Sequence, residues 1–366
     1  CPPLAATSTT RSDWAQQRVA ADQAWPRTRG KGVTVAIVDS GVDASLPQLS
    51  GRVTVGADIV TGTGRADTDC LGTGTAMASL IIAQGGAGDL NGTAPDATVM
   101  PVRVVTTAGA SRAADEVTAI QVAVSAGARV IALGSYVDMT DPAVAAAIRT
   151  ATGHDVLVVG CAPTATAAPA AARNPSTLQV GGVDTNNNLA AHYQPGSVDV
   201  VAPSVNVLTL GVSGTGQLAA SGTQYAVAFV AGEAALIRAA GPALTAEQVA
   251  QRVKSTADAA GQAQPNTTDG WGFIDPTTAV DLPQAPGTSN QSGTTAPATL
   301  SGGRSGTALA ILGLVGLAVT LLIGWRVRRT LRSTDEPDDD PYLADETESH
   351  LPSAPTTLIP SQPASR

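Results

Sequence analysis

The chain has 366 residues, 43% hydrophobic and 14% charged, with a formal net charge of −9. So apolar a composition excludes a wholly disordered polyampholyte, since ordinary globular chains are about one quarter charged. The acidic balance, with four Trp, four Tyr and two Phe, lacks the basic patches and stacking rings of a nucleic-acid surface.

Residues 1–30 form a Pro-containing extension that ends in the basic stretch around RTRGKG. VTVAIVD (33–39) is a continuous β-branched run and predicts a buried strand of a parallel sheet, ending at Asp39. Further runs follow at 98–105, 128–134, 155–160, 178–183 and 198–203. Helical patterns over 114–127 and 142–152 lie between them, and the Ala-rich stretch 225–240 predicts a buried central helix. Alternation of this kind predicts an α/β fold, a doubly wound parallel sheet in three layers. No internal repeat is visible.

Residues 282–304 are rich in Pro, Gly, Ser and Thr and predict a flexible linker. Residues 305–325 carry no charge, and at 1.5 Å per residue they reach roughly 31 Å, enough to cross a membrane. A buried core helix is the competing reading. Apolar character on every face, Trp325 at the edge and Arg326, Arg328, Arg329 and Arg332 beyond favour a transmembrane helix with its positive side cytoplasmic. Residues 1–304 would then lie outside the cell, and residues 326–366 would form an acidic, disordered cytoplasmic tail. The chain starts at Cys1 with no export signal, which reads as a mature form.

Asp39-Ser40-Gly41 sits at a predicted carboxyl strand end, where α/β sheets place their sites. Alone, the tripeptide could equally be a polar strand cap. Its surroundings, TRGKGVTVAIVDSGVDASLPQL, resemble the aspartate region of subtilisin-like serine proteases. GTAPDATVMPVRVV (92–105), SGTQYAVAFVAGEAALI (221–237) and GWGFIDPTTAV (270–280) resemble further blocks of that family, in the same order over residues 14–281. Residues 31–281 are therefore identified as a subtilisin-like domain. The opening CPP, the DC at 69–70, the linker and the apolar span resemble the mycosins, membrane-anchored members that accompany actinobacterial type VII secretion systems.

The resemblance assigns the triad aspartate to Asp39, but the histidine position is Thr73 and the serine position is Gln224. The oxyanion asparagine position falls at Thr164, the motif proline is Ala228, and the nearest asparagine, Asn174, lies in another block. Threonine has no group titrating near neutrality, and glutamine is no nucleophile towards an amide. A missing oxyanion donor costs about 3–4 kcal/mol. The expectation is a chain that is not an enzyme and uses no cofactor or metal. Of the histidines, His154 is expected at the far end of the sheet, His192 on the surface and His350 in the tail. As partners the resemblance implies type VII secretion membrane components. An extended peptide could also pair with Ile131–Ser135 in the cleft. A working endopeptidase with an unconventional site is the other open reading.

Three cysteines suit an oxidising compartment. The mycosin resemblance implies a Cys1–Cys70 disulfide, closing about 70 residues and worth about 4 kcal/mol. A lipid-modified Cys1 is the alternative. Cys161 is expected to be a free thiol.

Overall fold

The computed structural model describes residues 14–85, 90–166, 174–212 and 216–281. In chain order the elements begin with α1 (Trp14–Val19), β1 (Thr34–Asp39), β2 (Ala57–Asp58), α2 (Thr73–Ile82) and β3 (Thr98–Arg103). There follow α3 (Ala113–Ser125), β4 (Val130–Leu133), α4 (Pro142–Gly153), β5 (Leu157–Cys161) and β6 (Thr177–Val183). The remainder is β7 (Val200–Pro203), β8 (Val207–Leu210), β9 (Gln217–Ala220), α5 (Thr223–Ala240), α6 (Ala246–Thr256) and α7 (Pro276–Asp281).

Each β-branched run became a strand because it is covered on both faces, as parallel sheets require. Seven strands pair in the order β2-β3-β1-β4-β5-β6-β7. All six pairings are parallel. Along β1 the side chains alternate between two cores. Val35 and Ile37 pack with Leu80, Ile81 and Leu236 from α2 and α5. Ala36 and Val38 pack with Ile120 and Ile148 from α3 and α4. The result is three layers, helices on both faces of one sheet. A two-stranded antiparallel hairpin, β8–β9, stands apart from it.

Helix α5 is buried from Gln224 to Arg238, as its all-round apolar sequence predicts. Helix α4 starts where Asp141 accepts from the N–H of Ala143 at 2.7 Å and Val144 at 3.2 Å. At α6 the hydroxyl of Thr245 accepts from Gln248 N at 3.2 Å, and Gln248 Oε1 accepts from Thr245 N at 2.8 Å. This reciprocal cap is worth about 1 kcal/mol. Thr245→Ala should therefore lower the unfolding free energy by that amount in a denaturant titration, with an unchanged slope.

The strand order turns at β1. Connections after it run to β3 and β2 on one side and to β4–β7 on the other. A crevice opens at such a point beyond the carboxyl ends, and Asp39 is the last residue of β1. The predicted transmembrane helix, linker and tail, and Cys1, lie outside the described residues. Among those described, no helix is long and apolar enough to cross a membrane. Cys161 is a free thiol and Cys70 is disulfide-bonded. The pairing of Cys70 with Cys1 stays a proposal.

Candidate active site

Asp39 is fully buried. Its Oδ1 accepts the N–H of Ser40 at 2.8 Å and the hydroxyl of Thr73. Ser40 Oγ lies 2.9 Å from Thr73 Oγ1 and accepts the N–H of Gly74 at 3.1 Å. Two of the predicted site residues, Asp39 and Thr73, thus meet in one cluster with Ser40.

The start of α2 is brought there by Asp69. Its Oδ1 accepts from Leu71 N (3.0 Å) and Gly72 N (2.8 Å), and its Oδ2 from Thr75 N (2.9 Å) and the Thr75 hydroxyl (2.8 Å). Gly74 allows the approach, because a Cβ there would sit 2.1 Å from the carbonyl oxygen of Gly41. On the β3 side, Arg103 donates to Asp58 Oδ2 at 2.7 Å and to the Ser40 carbonyl at 3.0 Å, tying the loop after β1 to the sheet.

Asp39 Oδ2 has no hydrogen-bond partner. It packs on Gly134, where a Cβ would lie 1.7 Å away, so any larger residue would displace the carboxylate. Burial raises the Asp39 carboxyl from 3.8 to about 6, despite the opposing hydrogen bonds from Thr73 and Ser40. The group therefore changes charge just below neutrality.

Two tyrosines that sequence reasoning missed close the cluster. The Tyr136 phenol hydrogen-bonds Thr73 and is raised by burial and by the nearby charges of Asp39 and Asp69. Tyr225 is pushed up to about 12 by burial and then by the charge of Asp39. Gln224 is buried in the first turn of α5 and hydrogen-bonds Tyr225. Tyr193 holds the same helix start, its hydroxyl lying 2.8 Å from Thr223 Oγ1 and accepting from Gly182 N at 2.7 Å.

Thr164 is on the cleft wall, but its hydroxyl pairs with Thr166 Oγ1 at 3.0 Å and makes no bond to the Asp39 cluster. The sequence set Asn174 aside as belonging to another block. The structure brings it to the same cleft, a cavity of about 630 Å³ also lined by Ser135, Tyr136, Met139 and Gln179. Cys161 lines it too, its thiol pushed up to about 12 by burial and by Asp39. His154 and His192 are exposed, and His154 ends α4, before the start of β5 and so at the end of the sheet opposite Asp39.

The proposed peptide edge needs correction. Ile131, Ala132 and Leu133 are buried, and β4 is paired with β1 on one side and β5 on the other. Gly134 is still bonded, its N–H donating to Val38 O at 3.0 Å and its carbonyl accepting from Val137 N at 3.3 Å, so only exposed Ser135 is past the ladder. A peptide could be paired there and not along Ile131–Leu133. Among the described residues, no group of three or more His, Cys, Asp or Glu could hold a metal.

The subtilase family profile matches residues 30–272. The chain is 32% identical over 252 residues to an alkaline protease of Alkalihalobacillus alcalophilus, covering 68% of this chain and 65% of that protein. It thus spans a little under two thirds of that relative's length. It is also 32% identical over 252 residues to subtilisin Savinase of Lederbergia lenta, covering 68% of this chain and 92% of that one. Among solved structures it resembles the MycP3 protease from the type VII (ESX-3) secretion system, with 29% identity, a TM-score of 0.61 and coverage of 75% and 89%. MycP1, titled a serine protease and an essential component of the type VII (ESX-1) secretion system, matches with 26% identity, a TM-score of 0.62 and coverage of 75% and 90%.

These matches overturn the expectation that the chain is not an enzyme, because the relatives are named proteases. That expectation treated the hydroxyls near Asp39 as having no base. The carboxyl itself titrates at about 6 while touching the hydroxyl of Thr73.

Proposed function

Because this chain belongs to the subtilase family, we propose that it serves a type VII secretion system as a mycosin-like component outside the membrane, holding an extended segment of a partner in the cleft beside Asp39. One observation carries this reading: the match to MycP1 and MycP3 over 90% and 89% of their lengths. The cleft supports it, since exposed Ser135 lines it just past the β4 ladder. Residues 305–325 would anchor the chain and residues 326–366 would lie in the cytoplasm. Co-purification of the full chain from membranes should recover secretion-system membrane proteins. Recovery of the chain free of them would refute the reading.

The anchor has its own test. Protease added to intact cells should remove the globular part and leave a short fragment carrying a C-terminal tag. Protection of the whole chain would reverse or remove the proposed topology.

A second reading, endopeptidase activity, is favoured by the names of the relatives and by Asp39 in contact with Thr73. Peptide turnover abolished by Asp39→Asn would support it. Turnover indifferent to that change would place the chemistry elsewhere.

A further inference from the structure

Two amide side chains on residues lining the cleft each leave one buried atom unmatched, an acceptor on one and a donor on the other. Gln179, on β6, is 3% exposed and its Oε1 has no partner. Asn174 is 8% exposed and its Nδ2 has none. Both line the cleft of about 630 Å³ beside the site. The Asn174 side chain and the Gln179 backbone are both held in place. Asn174 Oδ1 accepts from Ser176 N at 3.1 Å. Gln179 N donates to Asp199 Oδ2 at 3.0 Å, and its carbonyl accepts from Asp199 N at 2.8 Å. Buried polar groups are ordinarily paired, so an unfilled donor and an unfilled acceptor lining one cleft call for a partner carrying one of each.

The rest of the lining narrows that partner. Met139 and Cys161 make apolar walls, and Met139 lies so close over β5 that a Cβ on Gly160 would meet its Sδ at 2.4 Å. Among the described residues, Asp138 is the single charged one on the lining. It is exposed, and its Oδ1 is taken by the hydroxyl of Thr140 at 2.6 Å.

We infer that the cleft selects a peptide segment carrying a glutamine or asparagine side chain, whose carbonyl accepts from Asn174 Nδ2 and whose amide donates to Gln179 Oε1. A carboxylate would satisfy Asn174 and repel Gln179. An ammonium would do the reverse, and an aliphatic side chain would strand both. The inference rests on the peptide-holding reading above and names the class of segment held.

The test uses the full chain in detergent and five fluorescein-labelled octapeptides. These share a Gly/Ala/Ser background and differ at one central residue: Gln, Asn, Leu, Glu or Lys. Anisotropy should give the Gln or Asn peptide a Kd about tenfold or more below that of the Leu peptide, the usual consequence of leaving buried polar groups unpaired. If a peptide is cleaved, kcat/KM gives the same ratio. Gln179→Met should erase the preference while keeping the Leu peptide bound, and Gln179→Glu should move it to the Lys peptide. If Gln179→Met does not fold, Asn174→Leu replaces it with the same expected loss. Equal binding of all five peptides, or a preference that survives these substitutions, would overturn the inference and leave peptide holding intact. Absence of binding by every peptide would overturn both.

Discussion

Replacing Thr73 by histidine and Gln224 by serine together should raise labelling by a fluorophosphonate probe by about 10²- to 10⁴-fold over Gln224→Ser alone, the usual contribution of a positioned base. Position 73 already touches Asp39 Oδ1. An imidazole there would find the carboxylate that orients it, and Gly74 would still let α2 approach the strand end. Asp69 keeps capping the same turn. Position 224 stays in the first turn of α5, held by Tyr193 against Thr223. Turnover of peptides by the double variant should nevertheless stay weak. The wall at Thr164 supplies no side-chain amide for an oxyanion, which costs about 10²- to 10³-fold. Tyr136 must also yield its bond to Thr73. The natural chain's own labelling is the baseline. No rise in the double variant over Gln224→Ser would mean that positions 39, 73 and 224 do not form the family's triad geometry.

Asp39→Asn should stabilise the protein by about 3 kcal/mol above pH 6 and by almost nothing below pH 4. The folded carboxyl holds its proton up to about pH 6, whereas an unfolded one releases it near 3.8. Between those values the native state binds more protons, so stability falls as pH rises through the window and is level above it. Asparagine is neutral throughout. Its Oδ1 keeps the bonds from Ser40 N and the Thr73 hydroxyl, and its amide replaces an oxygen that has no partner now. Urea titrations at pH 4, 5, 6 and 8 would measure the curve. Equal pH slopes for both proteins would show that the Asp39 carboxyl is not raised in the fold.

The sheet was legible because its strands are fully buried. In a run such as 33–39, Val35 to Val38 are apolar and fully buried, so no polar alternation interrupts the signal. Helix α2 escaped notice for the related reason that it is buried on nearly every side from Gly74 to Ile82, so TGTAMASLII shows no amphipathic stripe. Helix α6 was readable in principle, with Thr245 and Gln248 spaced as a reciprocal cap ahead of Val249 and Val253. The short hairpin strands β8 and β9 gave too few residues for a pattern. In the site, Thr73 hydrogen-bonds Asp39. Tyr136, Tyr225 and Asn174 join it through tertiary contacts between distant segments, for which local sequence carries no period. The error at Ile131–Leu133 came from taking a central strand for an edge, which only sheet order can decide.

We propose that the cleft beside Asp39 is the surface through which a secretion partner is held. A photo-crosslinking residue placed at exposed Ser135 in the full chain, in cells, tests it most directly. Irradiation should join the chain at position 135 to a type VII secretion component. The same residue at Arg149, exposed on α4 across the sheet, should give no such product. Crosslinks from Arg149 and none from Ser135 would contradict the claim.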